Sequence, residues 1–341
     1  MRVIIVTDAW HPQVNGVVRT LETTGRYLER SGFEVRFVTP AAFHTVPCPT
    51  YPEIRLALWP GRRVAAMLDD FDPDAVHIAT EGPLGQAARR WCRARGRRFT
   101  TSFHTQFPEY IRLRVPLPLA VSYAWLRRFH AAAARTLVPT ASQRERLAAR
   151  GFTNLCLWQR GVDTDIFHPG EAFDYAGLPR PIHVYMGRVA VEKNIEAFLA
   201  LPLPGSQLVI GDGPDLARLR ARWPRARFLG AKFGRELARH LAGADVFVFP
   251  SRTDTFGLVL LEALACGVPV AAYPVTGPLD VVTDAAVGAL DEDLGRAIER
   301  ARGLERAACA EFARGYAWEH ATAVFASNLA FRDTRAVTAR A

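Results

Sequence analysis

Short apolar runs punctuate this chain, and between them apolar residues recur at three- and four-residue spacing. The runs cover residues 2–6, 33–39, 75–78, 99–101, 137–140 and 155–158, then 182–188, 207–210, 227–230, 246–249 and 270–272. Val3-Ile4-Ile5-Val6 and Val246-Phe247-Val248-Phe249 are continuously apolar rather than alternating, which predicts strands buried on both faces. Helical spacing occupies residues 17–30, 142–150, a stretch opening at Leu258, then 291–304 and 308–331. Strands alternating with helices from the outset predict an α/β chain with doubly wound parallel sheets.

At 341 residues the chain is long for one hydrophobic core, so two domains of similar size are expected. The rhythm breaks over residues 169–181, with a proline at each end, and restarts at Ile182. This gives an N-terminal Rossmann-like domain over 1–168, a second over 169–315, and a helical tail over 316–341. In such sheets ligands sit beyond the carboxyl ends of strands. In the first domain that points to residues 8–16, 80–85 and 101–106.

Residues 246–272 carry the densest chemistry. The strand ends at Pro250-Ser251, a loop follows through Asp254, Phe256 and Gly257, and a helix then runs to Gly267-Val268-Pro269, which stops it. Asp254 in the loop and Glu262 a little over two turns into the helix share one side. The amides of Phe256, Gly257, Leu258 and Val259 are left for a phosphate or sugar oxygen at the positive end of the helix. An ordinary strand-helix-strand unit would treat these acids as surface residues. Glu262, however, is flanked by Leu261, Ala263 and Leu264 on a nearly all-apolar helix, where a carboxylate needs a partner.

Three other loops fit the same chemistry. After the strand 182–188, Gly187 and Arg188 are followed by Lys193, so a guanidinium and an ammonium can address one anion. Gly211 ends the next strand in a glycine turn, which a purely structural turn would also need. In the first domain, Asn15 and Gly16 stand where a loop meets a helix and allow close backbone approach. His104 follows the strand 99–101; a lone loop histidine also suits a structural role. The three spaced glycines of a dinucleotide fingerprint are missing.

The order Pro-Ser, acid, Phe-Gly-Leu, then Leu-Glu-Ala-Leu-Ala-Cys-Gly-Val-Pro-Val resembles the nucleotide-sugar site of retaining, family-4-type glycosyltransferases of GT-B fold. The first acid is usually Glu there. Asp254 in Thr-Asp-Thr-Phe-Gly is similar to the variant found in bacterial glycolipid glycosyltransferases and GDP-mannose-dependent alpha-mannosyltransferases. The Gly16 loop, the His104 loop, the 160–169 turn and the Arg188/Lys193 pair resemble further family motifs.

The resemblance implies two Rossmann-like domains facing a cleft, with the tail packing back on the first domain. It implies that Arg188 and Lys193 clamp the donor diphosphate, that Glu262 binds ribose, that Asp254 contacts sugar hydroxyls and that His104 reaches the donor sugar. It also implies retention. No Asp-x-Asp motif stands at the end of an anticipated strand, so we expect no metal and no cofactor, with cationic side chains neutralising the leaving group.

Composition narrows the partners. The five cysteines are scattered singly, which argues against a disulfide framework or zinc site and fits a reduced compartment. No signal-like region precedes the first strand and no apolar run reaches the ~18 residues of a membrane span. The formal charge of +9 lies in residues 1–165, where 23 arginines face 14 acids. Residues 110–130 mix apolar, aromatic and basic side chains in a way that suits a bilayer surface, and a buried helix explains them equally well. Nucleic acid is not expected, since stacking aromatics are not interleaved with the basic residues in one groove.

The expectation is therefore a cytoplasmic hexosyltransferase, peripheral on the inner face of the cell membrane. It would move a hexose from a UDP- or GDP-sugar to a lipid such as diacylglycerol. The alternatives are a soluble or polysaccharide acceptor, or a non-catalytic sugar-nucleotide-binding protein.

Overall fold

The computed structural model describes residues 1–12, 16–48, 51–104, 108, 112, 118–254 and 256–332, with backbone alone at 51–53. It divides into two compact units: Met1–Gln159 with Ala321–Ala341, and Arg160–His320.

The first unit contains β1 (Arg2–Val6), α1 (Gly16–Arg30), β2 (Glu34–Val38), β3 (Thr45–Cys48), β4 (Tyr51–Ala57) and α2 (Gly61–Phe71). It continues with β5 (Ala75–Ile78), α3 (Pro83–Ala94), β6 (Thr100–Ser102), α4 (Leu119–His130), β7 (Arg135–Val138), α5 (Ala141–Ala148) and β8 (Leu155–Leu157). Its main sheet has the order β2-β1-β5-β6-β7-β8, with every pairing parallel. Alternate residues of β1 go to opposite cores. Ile4 and Val6 pack with Val64, Leu68 and Leu84, while Val3 and Ile5 pack with Leu21, Leu28 and Phe325. That double burial is why the run is apolar without a break. The antiparallel hairpin β3–β4 was not anticipated, because prolines at 47 and 52 obscure the strand pattern.

The second unit contains β9 (Ile182–Met186), α6 (Ile195–Leu199), β10 (Ser206–Ile210), α7 (Leu216–Arg222), β11 (Arg227–Gly230) and α8 (Gly234–Ala242). Then come β12 (Val246–Phe249), α9 (Leu258–Ala265), β13 (Val270–Ala272), α10 (Pro278–Val281), β14 (Gly288–Leu290), α11 (Leu294–Ala301) and α12 (Arg306–Arg314). The sheet order is β11-β10-β9-β12-β13-β14, again parallel throughout. Phe247 and Phe249 enter one core, and Val246 and Val248 the other.

The chain enters the second unit at Arg160 and leaves it after His320, whereas sequence reading placed these points at 168/169 and 315/316. Val162 and Phe167 account for the first difference, since both are buried in the core of the second unit. The helical tail holds α13 (Trp318–Asn328), and α12 lies before it in the second unit. In the first unit, Phe325 and Leu329 complete the core around Val3, Ile5 and Trp158. The Trp158 indole N–H donates to the carbonyl of Ala321 at 3.1 Å, and Phe331 forms a bridge with Ala75.

In the first unit the sheet order reverses between β1 and β5, the usual place for a ligand. Asp8 follows β1 there. Its buried carboxylate accepts from the Thr80 hydroxyl at 2.9 Å and from the amides of Leu84 (2.9 Å) and Gly85 (3.3 Å), at the start of α3. Burial pushes this carboxyl up to about 6, against the downward pull of the three donors. The N-terminus of α3 thus already holds an anion from its own chain.

Gly85 makes this turn possible, since a Cβ there would overlap the carbonyl oxygen of Thr80. Gly85→Ala should destabilise the protein by more than about 3 kcal/mol, the range for forced backbone shifts. Gly96, at φ +61° with open space around it, should cost only about 1 kcal/mol as Ala. Urea unfolding followed by tryptophan fluorescence reads both, and equal midpoints for the two variants would refute the close-packing account.

Candidate functional site

The order of the second sheet makes β9, its first strand in the chain, a direct neighbour of β12. The chain winds outward from β9 to β10 and β11, then crosses back to β12, β13 and β14. Loops leaving β9 and β12 therefore diverge and leave a crevice at their carboxyl ends.

The loop after β9 carries Gly187, Arg188 and Lys193, and the loop after β12 carries Asp254. The Lys193 ammonium Nζ lies 2.6 Å from Asp254 Oδ1. Both side chains are largely shielded, at 22% and 21% exposure, so solvent weakens the attraction less than on an open surface. The second carboxylate oxygen, Oδ2, is buried and makes no hydrogen bond among the described residues. Two ties hold the loops in this register. Asn194, in left-handed backbone at φ +53°, donates from Nδ2 to the Pro250 carbonyl at 3.1 Å, and the Thr253 hydroxyl donates to the Glu192 carbonyl at 3.4 Å.

Arg188 belongs to the same loop. Its guanidinium is half-exposed and lies 3.9 Å from Glu192. Its carbonyl accepts from the Tyr185 hydroxyl at 2.8 Å. Burial, followed by the charges of Asp254 and Glu192, drives the Tyr185 pKa upward and keeps this hydroxyl a donor. Gly187 and Gly211 let the loops after β9 and β10 pass at van der Waals distance. Gly211 has φ +148°, and a Cβ there would overlap the Gly187 carbonyl oxygen.

The N-terminus of α9 faces the same end of the sheet. Gly257 caps it in left-handed backbone (φ +79°) and no described side chain closes it, so the first amides, those of Leu258 and Val259, stay open to an anion. Phe256 is buried beneath, and Gly277 presses on the carbonyls of Asp254 and Phe256 at 3.1 and 3.2 Å from its Cβ position. Glu262 lies one turn into α9, not the two anticipated, because the helix opens at Leu258, and it is 3% exposed. A carboxylate this deep on an apolar helix carries a desolvation cost that a polar partner offsets.

The remaining sequence candidates belong to the first unit. Gly16 opens α1. His104 follows β6 and sets its ring edge-on to Trp158, centroids 5.9 Å apart at 73°. Trp158 is fully buried between His77 and Phe325 of α13, so the returning helix backs the histidine. Asn15, Gln106, Thr255 and, within the amphipathic stretch, residues 110, 111 and 113–117 lie outside the described residues.

Sequence reading did not single out Tyr185, Asn194, Gly277 or Trp158. The first two carried a signal: a phenol at the mouth of an apolar strand, and an asparagine directly before a helix.

Comparison with known proteins bears on this arrangement. A model of Glycosyltransferase Family 4 matches residues 14–166, and a model of Glycosyl transferases group 1 matches residues 180–303. The chain is 34% identical over 315 residues to a GDP-mannose-dependent alpha-mannosyltransferase of Mycobacterium tuberculosis, covering 85% of this chain and 83% of that one. It is 30% identical over 332 residues to a GDP-mannose-dependent alpha-(1-6)-phosphatidylinositol dimannoside mannosyltransferase of the same species, covering 88% and 86%. Sucrose-phosphate synthase from Thermosynechococcus elongatus shares the fold, with a TM-score of 0.73 over 100% of both chains at 20% identity. With both sheets matched and relatives aligned over most of their length, this chain belongs to the family-4 glycosyltransferases of GT-B fold, which use a nucleotide-sugar donor.

Proposed function

We infer that the chain transfers a mannosyl group from GDP-mannose to a membrane lipid acceptor, with retention and without a metal ion. The observation that carries this is the Lys193–Asp254 contact beside the open N-terminus of α9. One ammonium, one guanidinium on the same loop and a row of free amides stand where a diphosphate leaving group would build negative charge. They supply the positive charge that a metal would otherwise bring. Asp254 keeps one buried oxygen open, suited to accept from a sugar hydroxyl.

In this reading Glu262 takes the ribose hydroxyls, Gly187 and Gly211 let the diphosphate approach the backbone, and His104 serves the donor sugar. Asp254 is neutralised by Lys193 and so is a poor nucleophile toward the anomeric carbon. Transfer on the face that the phosphate leaves, with the phosphate oxygen taking the acceptor proton, fits that charge state and gives retention. The donor and lipid assignments draw on the relatives, one named for GDP-mannose and one for a phosphatidylinositol dimannoside.

Nucleotide release from GDP-mannose and UDP-glucose, each with detergent-dispersed phosphatidylinositol, diacylglycerol or a soluble mannoside, tests the assignment. GDP release that depends on the lipid is expected, and turnover restricted to UDP-glucose or to the soluble mannoside would overturn it.

Lys193→Ala should lower kcat by about 100- to 1,000-fold, the scale of removing one transition-state charge partner. Near-wild-type turnover in the folded variant would exclude the leaving-group role. Glu262→Gln should act on binding instead, raising KM for GDP-mannose by about 10- to 100-fold with a smaller change in kcat, as expected for loss of a charge-assisted hydrogen bond. An unchanged KM would remove Glu262 from the ribose site.

A further inference from the structure

Three consecutive residues fasten the loop that carries Asp254, and they do so on two sides. Thr253 and Asp254 reach back to the loop after β9, through the Glu192 carbonyl and the Lys193 ammonium. Arg252 turns to the far side. Its guanidinium carbon sits 3.7 Å from the centre of the Tyr273 ring, just past β13, and its Nη1 lies 3.1 Å from the Glu292 carboxylate, two residues past β14. One side chain thus joins the loops after β12, β13 and β14, which are neighbours in the sheet.

An exposed ion pair by itself contributes little, and the side chains of Arg252 and Glu292 are 45% and 67% exposed. The ring changes that balance. Tyr273 is buried, so its face is a fixed platform, and a planar guanidinium laid on it keeps its N–H groups along the edge for the carboxylate. A lysine could make the ion pair but has no plane to stack. The same β13 loop meets the Asp254 loop a second time, where Gly277 presses on the carbonyls of Asp254 and Phe256.

Asp254 stands two residues beyond Arg252, so a swing of this stretch displaces its carboxylate. Reacting groups tolerate little of that, since a misplacement of about 1 Å can cost on the order of 100-fold in rate.

We propose that Arg252 is a positioning residue: stacked on Tyr273 and paired with Glu292, it holds the loop so that Asp254 meets both Lys193 and the donor sugar. Arg252 is assigned no contact with the donor and acts through Asp254. The proposal rests on the roles given to Asp254 and Lys193 above.

The test combines steady-state turnover of GDP-mannose by the full chain with hydrogen exchange over residues 251–254. Arg252→Ala should lower kcat about tenfold, the scale of a cation–π contact and an exposed ion pair lost together, with KM for GDP-mannose changed by less than about twofold. Arg252→Lys should fall between Arg252→Ala and wild type. In a Lys193→Ala background, where Asp254 has lost its partner, Arg252→Ala should cost less than about twofold more, whereas a general loss of stability would act alike in both backgrounds. Exchange over 251–254 should quicken in Arg252→Ala while β12 keeps its protection.

Wild-type kcat in the folded Arg252→Ala enzyme, the full tenfold loss repeated in the Lys193→Ala background, or unchanged exchange would each overturn the positioning role. Quickened exchange in a protein whose wild type releases no GDP from GDP-mannose would support the hold of Arg252 on the loop and sink the donor assignment instead.

Discussion

The contact between Lys193 and Asp254 ties together the two loops on which the candidate site of the second unit is built. It spans loops that leave neighbouring strands in opposite directions, and those strands are neighbours only because the winding order reverses between β9 and β12. Two opposite charges, each about four-fifths shielded, hold one another where solvent screens them less than on an open surface. The pair leaves one carboxylate oxygen open, and it stands beside helix amides that no side chain covers. An open carboxylate oxygen and an uncapped helix end suit the hydroxyl and phosphate groups of the proposed donor.

The two sheets show what a shared architecture does and does not decide. Each reverses its winding at a central strand, and each places a helix N-terminus at that point. In the first unit Asp8 occupies the position, satisfied by Thr80, Leu84 and Gly85. In the second, Gly257 leaves it open. One residue of filling or of omission separates a closed structural turn from an open helix end, which is why motif spacing in the second unit is more informative than in the first.

Much of this was legible because burial on both faces leaves a plain signature. The continuous runs at 2–6 and 246–249 could be nothing but central strands, and the linear motif from Asp254 to Pro269 fixes loop, helix and stop by residue type. The hairpin β3–β4 escaped because two prolines disguise a pair of edge-like strands. The first unit boundary lies earlier than the break in rhythm because Val162 and Phe167, just before that break, are buried in the core of the second unit. Trp158 escaped for a different reason. Its role depends on meeting His104 and Phe325, which lie far from it in the chain, and no local pattern records such a meeting.

That meeting has a consequence for how the molecule comes into being. Residues 160–320 form one uninterrupted unit, whereas the first unit needs Phe325 and Leu329 to close the core over Val3 and Ile5. During synthesis α1 can cover part of that face through Leu21 and Leu28, but the core closes only once residues 160–320 have been made and α13 has emerged.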